Sequence, residues 1–142
     1  MRKVAHILQR KGRNVISVEP GLPVINALQL MAEKNIGSVM VMEAGEYLGV
    51  LTERDYARKV ILKGRSSTET FVKDIMTTGL PRITPENSIE TCMHIMSESN
   101  IRYLPVFEND EVCGIISIND VVTETILSQK ETIEQLQNYI QS

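Results

Sequence analysis

The chain has no tryptophan, only two phenylalanines and two cysteines in 142 residues. Cys92 and Cys113 lie in apolar-patterned stretches without a CxxC spacing, which favours small buried hydrophobes over a disulfide or a metal pair. No stretch approaches the ~20 apolar residues that a transmembrane helix requires. The opening MRKVAHILQRKGRN breaks its apolar run at His6 and ends it by Gln9, too short for the apolar core of a signal peptide. A cytoplasmic, reducing location without a membrane partner is therefore expected.

Positive charge is not in excess either. Fifteen basic and 18 acidic side chains leave a formal charge of −3, so no general field draws the chain to nucleic acid or to an anionic surface. Any phosphate must be met locally. No Walker loop, catalytic triad or metal-ligand cluster is visible, and His6 and His94 have no nucleophile or acidic partner at a recognisable spacing. The expectation is a non-enzymatic protein without a metal.

What the chain does have is a repeat. Gly49 and Gly114 stand 65 residues apart, and that offset aligns everything from Pro20/Pro85 to Asp55/Asp120 without a gap. Identical pairs include Met31/Met96, Asn35/Asn100, Ile36/Ile101, Val41/Val106 and Gly49/Gly114, while Val24/Ile89 and Leu51/Ile116 exchange one apolar residue for another. The repeats are taken as 1–64 and 65–142. The segment VAHIL at 4–8 also resembles VKDIM at 72–76, at an offset of 68.

Each copy reads as a βαββα string. A short extended piece, VISV at 15–18 or RIT at 82–84, leads into apolar residues at helical spacing from 24 or 89. Pro23 suits the first turn of one helix, Ser88 the cap of the other, and Asn35 and Asn100 suit their ends. Two apolar stretches joined by EAGE, or by ENDE, then read as hairpins. Helices follow, the first over about 53–63, the second from about 119 to as far as 140 with Val122, Ile126, Ile133, Leu136 and Ile140 near one face. GRSSTET between the copies reads as a polar linker and FVKDIM as one or two helical turns. One repeat is too small to bury its sheet alone, which predicts an α/β (α+β) fold of two pseudo-twofold-related repeats packed through their sheets.

The second strand of each hairpin runs into the same motif, GVLTERD or GIISIND. The plain reading of Thr52 with Asp55, and of Ser117 with Asp120, is a helix-capping box. A second reading starts from the anion-binding character of a helix N-terminus and the match of a carboxylate's two oxygens to a ribose diol. Asp at N3, where a capping box prefers Glu or Gln, and a glycine that capping does not require favour a nucleotide. Arg54 and Arg58 flank Asp55, with Arg102 a further candidate cation.

The motifs DIMT at 74–77, IRYLPVF at 101–107, GVLTERD and GIISIND resemble a pair of cystathionine beta-synthase (CBS) domains, a Bateman module. TERDYARKV resembles the stand-alone bacterial CBS-pair proteins related to inosine-monophosphate dehydrogenase, without that enzyme's barrel. The resemblance implies an adenosine ligand (AMP, ATP or NAD) in clefts between the repeats. Thr52 with Asp55, and Ser117 with Asp120, would hold its phosphate and ribose. Ile36, Gly37 and Ser38, or Ile101, Arg102 and Tyr103, would flank base and sugar, and Ile16 and Ile83 would wall the adenine. Thr77 matches the Thr after the family's DIM segment, and Gln9 stands at the equivalent place in copy one, so the first site is the one expected to differ. The resemblance also implies a homodimer and a separate regulated enzyme. The alternative is a dimerisation or scaffold module whose motifs are only caps.

Overall fold

The computed structural model describes residues 2–141. Its elements are α1 (Val4–Lys11), β1 (Ser17–Val18), α2 (Val24–Lys34), β2 (Ser38–Glu43), β3 (Glu46–Thr52), α3 (Glu53–Tyr56) running into a π-helical turn (Ala57–Ile61), α4 (Val72–Ile75), α5 (Ile89–Ser99), β4 (Tyr103–Glu108), β5 (Glu111–Ser117) and α6 (Ile118–Gln141). They form two compact units. One runs from Val15 to Leu80; the other joins the chain up to Asn14 with the chain from Pro81 onward.

In the Val15–Leu80 unit, β1 lies parallel to β2, and β2 lies antiparallel to β3. The hairpin turns through Ala44 and Gly45, both at positive φ (52° and 81°), the backbone that two-residue hairpin loops require. Pro23 precedes α2 and offers no side-chain acceptor, so the helix needs other partners for its first amides. The Val24 amide donates to the Thr70 carbonyl at 2.8 Å and the Ile25 amide to the Ser67 carbonyl at 3.0 Å. The polar stretch read as a linker is thus a backbone cap, with Thr70 buried. Helix α2 stops at Asn35 in the left-handed conformation, as its sequence predicts. Its Val24, Ala27 and Met31 meet Val39, Val41, Leu51, Val60, Val72 and Ile75 in one core, where each large aliphatic side chain contributes about 1.5–3 kcal/mol. The helix expected over 53–63 becomes π-helical after Tyr56, which keeps Val60 in the core and turns Leu62 outward.

The second unit repeats this plan. Ser88 Oγ caps α5 by accepting from the Thr91 amide at 3.1 Å, and Asn100 ends it at φ 52°. Strands β4 and β5 pair antiparallel through a turn at Asn109 and Asp110, φ 54° and 63°. The extended piece expected at 82–84 reduces to one parallel bridge, Ile83 to Val106. Helix α1 places Val4, Ile7 and Leu8 among Ile89, Cys92, Leu104, Val106 and Ile116. Helix α6 runs 24 residues, with Val121 and Glu124 buried and its last two turns exposed.

These units do not follow the repeat boundary at 64/65. The Val4 amide donates to the Asn87 carbonyl, the Ala5 amide to Pro85 and the Ile89 amide to Arg2; in the other unit Val72 donates to Leu22, Lys73 to Pro20 and Val24 to Thr70. The same three bonds occur twice. The N-terminal segment therefore serves the second repeat, and the segment around Thr70–Thr77 serves the first. VAHIL and VKDIM are too alike for periodicity to say which repeat each one packs on.

Candidate functional site in the duplicated motif

Strand β3 delivers Thr52 to the start of α3, where two reciprocal bonds form. The Asp55 amide donates to Thr52 Oγ1 at 3.0 Å, and the Thr52 amide donates to Asp55 Oδ2 at 3.0 Å. Ser117 and Asp120 do the same at the start of α6, at 3.1 and 2.8 Å. Both motifs are capping boxes in geometry. The first amide of each helix is also satisfied, Glu53 donating to the Gly37 carbonyl at 3.1 Å and Ile118 to the Arg102 carbonyl at 2.9 Å.

Further donors converge on the carboxylates beyond what capping needs. Thr77 Oγ1 donates to Asp55 Oδ1 at 2.8 Å, and Lys59 Nζ lies 3.1 Å from the same oxygen while donating to the Ile75 carbonyl at 2.9 Å. Asp55 is only 7% exposed. At Asp120 the extra donor is Lys11, whose Nζ lies 2.8 Å from Oδ2 and 3.0 Å from the Ile115 carbonyl. Each buried or half-buried carboxylate is thereby matched by a cation, as burial of charge demands.

The glycines follow from these same flanking segments. A Cβ on Gly49 would stand 2.6 Å from the Thr77 carbonyl oxygen, which pairs with the Val50 amide at 3.0 Å. A Cβ on Gly114 would stand 2.9 Å from Leu8 Cδ2. Glycine here makes room for the segment that brings Thr77, or for α1.

Residues 4–62 and 72–126 match the model of the CBS domain. The chain belongs to the CBS-domain family. CBS domain-containing protein CBSX3, mitochondrial, of Arabidopsis thaliana is 39% identical over 123 residues, covering 83% of this chain and 60% of that one. The chain thus spans less than two thirds of that relative's length. CBS domain-containing protein YhcV of Bacillus subtilis is 30% identical over 115 residues, 81% of each chain. The structure of a putative signal-transduction protein with CBS domains from Burkholderia ambifaria superposes with a TM-score of 0.86 at 42% identity, over 89% of this chain and 96% of that one. The CBS domain pair of protein MJ0100, in complex with 5-methylthioadenosine and S-adenosyl-L-methionine, shares the fold at a TM-score of 0.75 and 20% identity, over 87% and 98%.

Within this CBS pair the expected site residues fall into two sets. Ile16, Ile36, Gly37, Ser38, Thr52, Arg54, Asp55, Arg58 and Thr77 lie in the Val15–Leu80 unit; Ile83, Ile101, Arg102, Tyr103, Ser117 and Asp120 lie in the other. Strand register sets Ser38 opposite Thr52 and Tyr103 opposite Ser117. Ile16 and Ile36 are half-buried against one core, whereas Ile83 is buried in the other. Arg54 is half-buried and Arg58 exposed.

Thr77 corrects an expectation. It joins Asp55 of the first motif, so the departure marked by Gln9 falls on the second motif, because α1 carries its helix on to Lys11 where α4 stops at Ile75. Two cations beside these carboxylates, Lys59 and Lys11, are not among the expected site residues. The signal for Lys59 is its i+4 spacing from Asp55. Lys11 has no local signal, because it reaches Asp120 across more than a hundred residues of chain.

Proposed function

We propose that this CBS pair is a regulatory module that binds an adenosine-containing nucleotide (AMP, ATP or NAD) at one or both of its hydroxyl–carboxylate frames. The observation that carries the reading is the repeated frame itself: a capping hydroxyl, a helix N-terminus and an aspartate with an accompanying cation, twice in one chain. A diol suits the carboxylate and a phosphate suits the helix start and its cations. The adenosyl compounds held by the related fold of protein MJ0100 support the ligand class. Occupancy would act on a separate enzyme or on a second copy of the chain, without turnover of the nucleotide.

The test is thermal stability of the full chain with AMP, ATP and NAD. A ligand at ~100 times its dissociation constant stabilises the fold by about 2.7 kcal/mol. The reading fails if no adenosine compound raises the melting temperature, or if Asp55→Ala and Asp120→Ala together leave every shift intact. Mass spectrometry of nucleotide retained through gentle purification would identify the ligand.

A second reading, a dimerisation module, draws on α6. Val122, Ile126, Ile133, Leu136 and Ile140 are each 47% exposed or more, at the spacing of one helix face. That face would pair with a second copy of the chain, and on this reading the two motifs serve only as helix caps.

A further inference from the structure

The two frames are not chemically equivalent, and the difference bears on which one takes the ligand. A carboxylate offers about four acceptor positions. At Asp55 three donors are hydrogen-bonded, the Thr52 amide and hydroxyl on Oδ2 and the Thr77 hydroxyl on Oδ1, and the Lys59 ammonium forms an ion pair with Oδ1 at 3.1 Å. A ribose diol would have to break bonds made to a buried charge. At Asp120 both donors, the Ser117 amide and Lys11, fall on Oδ2, and among the described residues none bonds Oδ1. Its side chain is also more open, 16% exposed against 9% for Asp55.

Lys11 adds a charge to that opening. In the first frame Thr77 supplies two neutral donors, its amide to the Val50 carbonyl at 2.8 Å and its hydroxyl to Asp55. In the second frame the Lys11 ammonium alone takes both places, on the Ile115 carbonyl and on Asp120. An ammonium has three N–H groups, so one remains beyond those two bonds. A flexible four-carbon stem lets it swing that charge without moving α1.

We propose that the nucleotide occupies the Ser117–Asp120 frame and not the Thr52–Asp55 frame, and that Lys11 selects a phosphate-bearing ligand there. The proposal rests on the nucleotide reading above and narrows it. Asp120 Oδ1 receives the diol, Lys11 turns its third N–H to the phosphate, and Asp55 holds the fold of its unit.

The experiment is titration of the full chain with AMP and with adenosine, followed by calorimetry and by amide NMR shifts. One AMP per chain is expected, with shifts centred on Lys11 and Ser117–Asp120. Lys11→Met should weaken AMP about tenfold or more and change adenosine less than threefold, while Lys11→Arg retains most of the AMP affinity. Asp120→Asn should weaken both ligands. Two equivalent sites, shifts centred on Thr52–Asp55, or equal weakening of AMP and adenosine by Lys11→Met would each overturn the proposal and leave the nucleotide reading standing. No binding of AMP, adenosine, ATP or NAD by the wild-type chain would overturn both.

Discussion

Lys59 and Glu124 stand at equivalent places in the two repeats and carry opposite charge. Lys59 lies 3.1 Å from Asp55 Oδ1, whereas Glu124, 1% exposed, accepts from Arg10 Nε at 2.9 Å and has Arg2 Nη1 3.5 Å away. The first repeat draws a cation from its own helix. In the second that position has become an anion that receives cations from the N-terminal segment, so Glu124 ties α1 to α6.

Removal of that anion should be costly. Glu124→Gln is expected to lower unfolding free energy by about 1–3 kcal/mol, less than for a fully buried pair because both arginines can rehydrate. Glu124→Lys should cost more, since a third cation would join Arg2 and Arg10. Urea denaturation of the two variants checks the order.

Thr77→Val removes one charge-assisted donor from Asp55 and leaves the backbone pairing of residue 77 intact. The expected loss is about 1–2 kcal/mol, and Thr77→Ser should recover most of it. Both can be read from denaturant midpoints at constant slope.

The two motif glycines should differ in tolerance. Gly49→Ala meets backbone, the Thr77 carbonyl at 2.6 Å, and is expected to cost about 2–3 kcal/mol. Gly114→Ala meets only the end of the Leu8 side chain, which can turn aside, so its cost should be about 1 kcal/mol or less. Equal melting temperatures for the two variants would contradict this account of the glycines.

Burial pushes the Cys92 thiol from 9.0 up to about 11, so the folded protein holds its proton where an unfolded chain would lose it. That stabilisation is complete below pH ~9 and fades as pH rises towards ~11, amounting to about 2–3 kcal/mol. Stability measured between pH 8 and 10.5 should fall more steeply for the wild type than for Cys92→Ala. Disulfide reagents at pH 8 should leave Cys92 unmodified until the chain unfolds.

Truncation after Gln129 removes Ile133, Leu136 and Ile140, all exposed, and no residue of either core. Melting temperature at low concentration should therefore change by only a few degrees. If α6 joins two copies, sedimentation should shift from dimer to monomer on the same truncation.

Much of this was legible in the chain because it depends on local chemistry. Asn35 and Asn100 end their helices in the left-handed conformation, and Ser88 caps α5, since those residues bond their own neighbours. Both hairpins sit where the apolar runs and turn residues place them. The outer pieces were shorter than periodicity implied: β1 keeps two residues and RIT one bridge, because their pairing depends on a central strand distant in sequence. The π-helical turn after Tyr56 left no mark in the residue pattern.

The sequence by itself determined the duplication, the CBS family and the hydroxyl–carboxylate pairs, all carried by residues three or four apart or by a fixed offset. Only the tertiary structure decided that α1 packs on the second repeat, that Thr77 serves Asp55 and that Lys11 serves Asp120. The physical reason is that VAHIL and VKDIM present nearly the same apolar face. Which groove each fills depends on chain connectivity and the packing of whole units, and no local pattern encodes that choice.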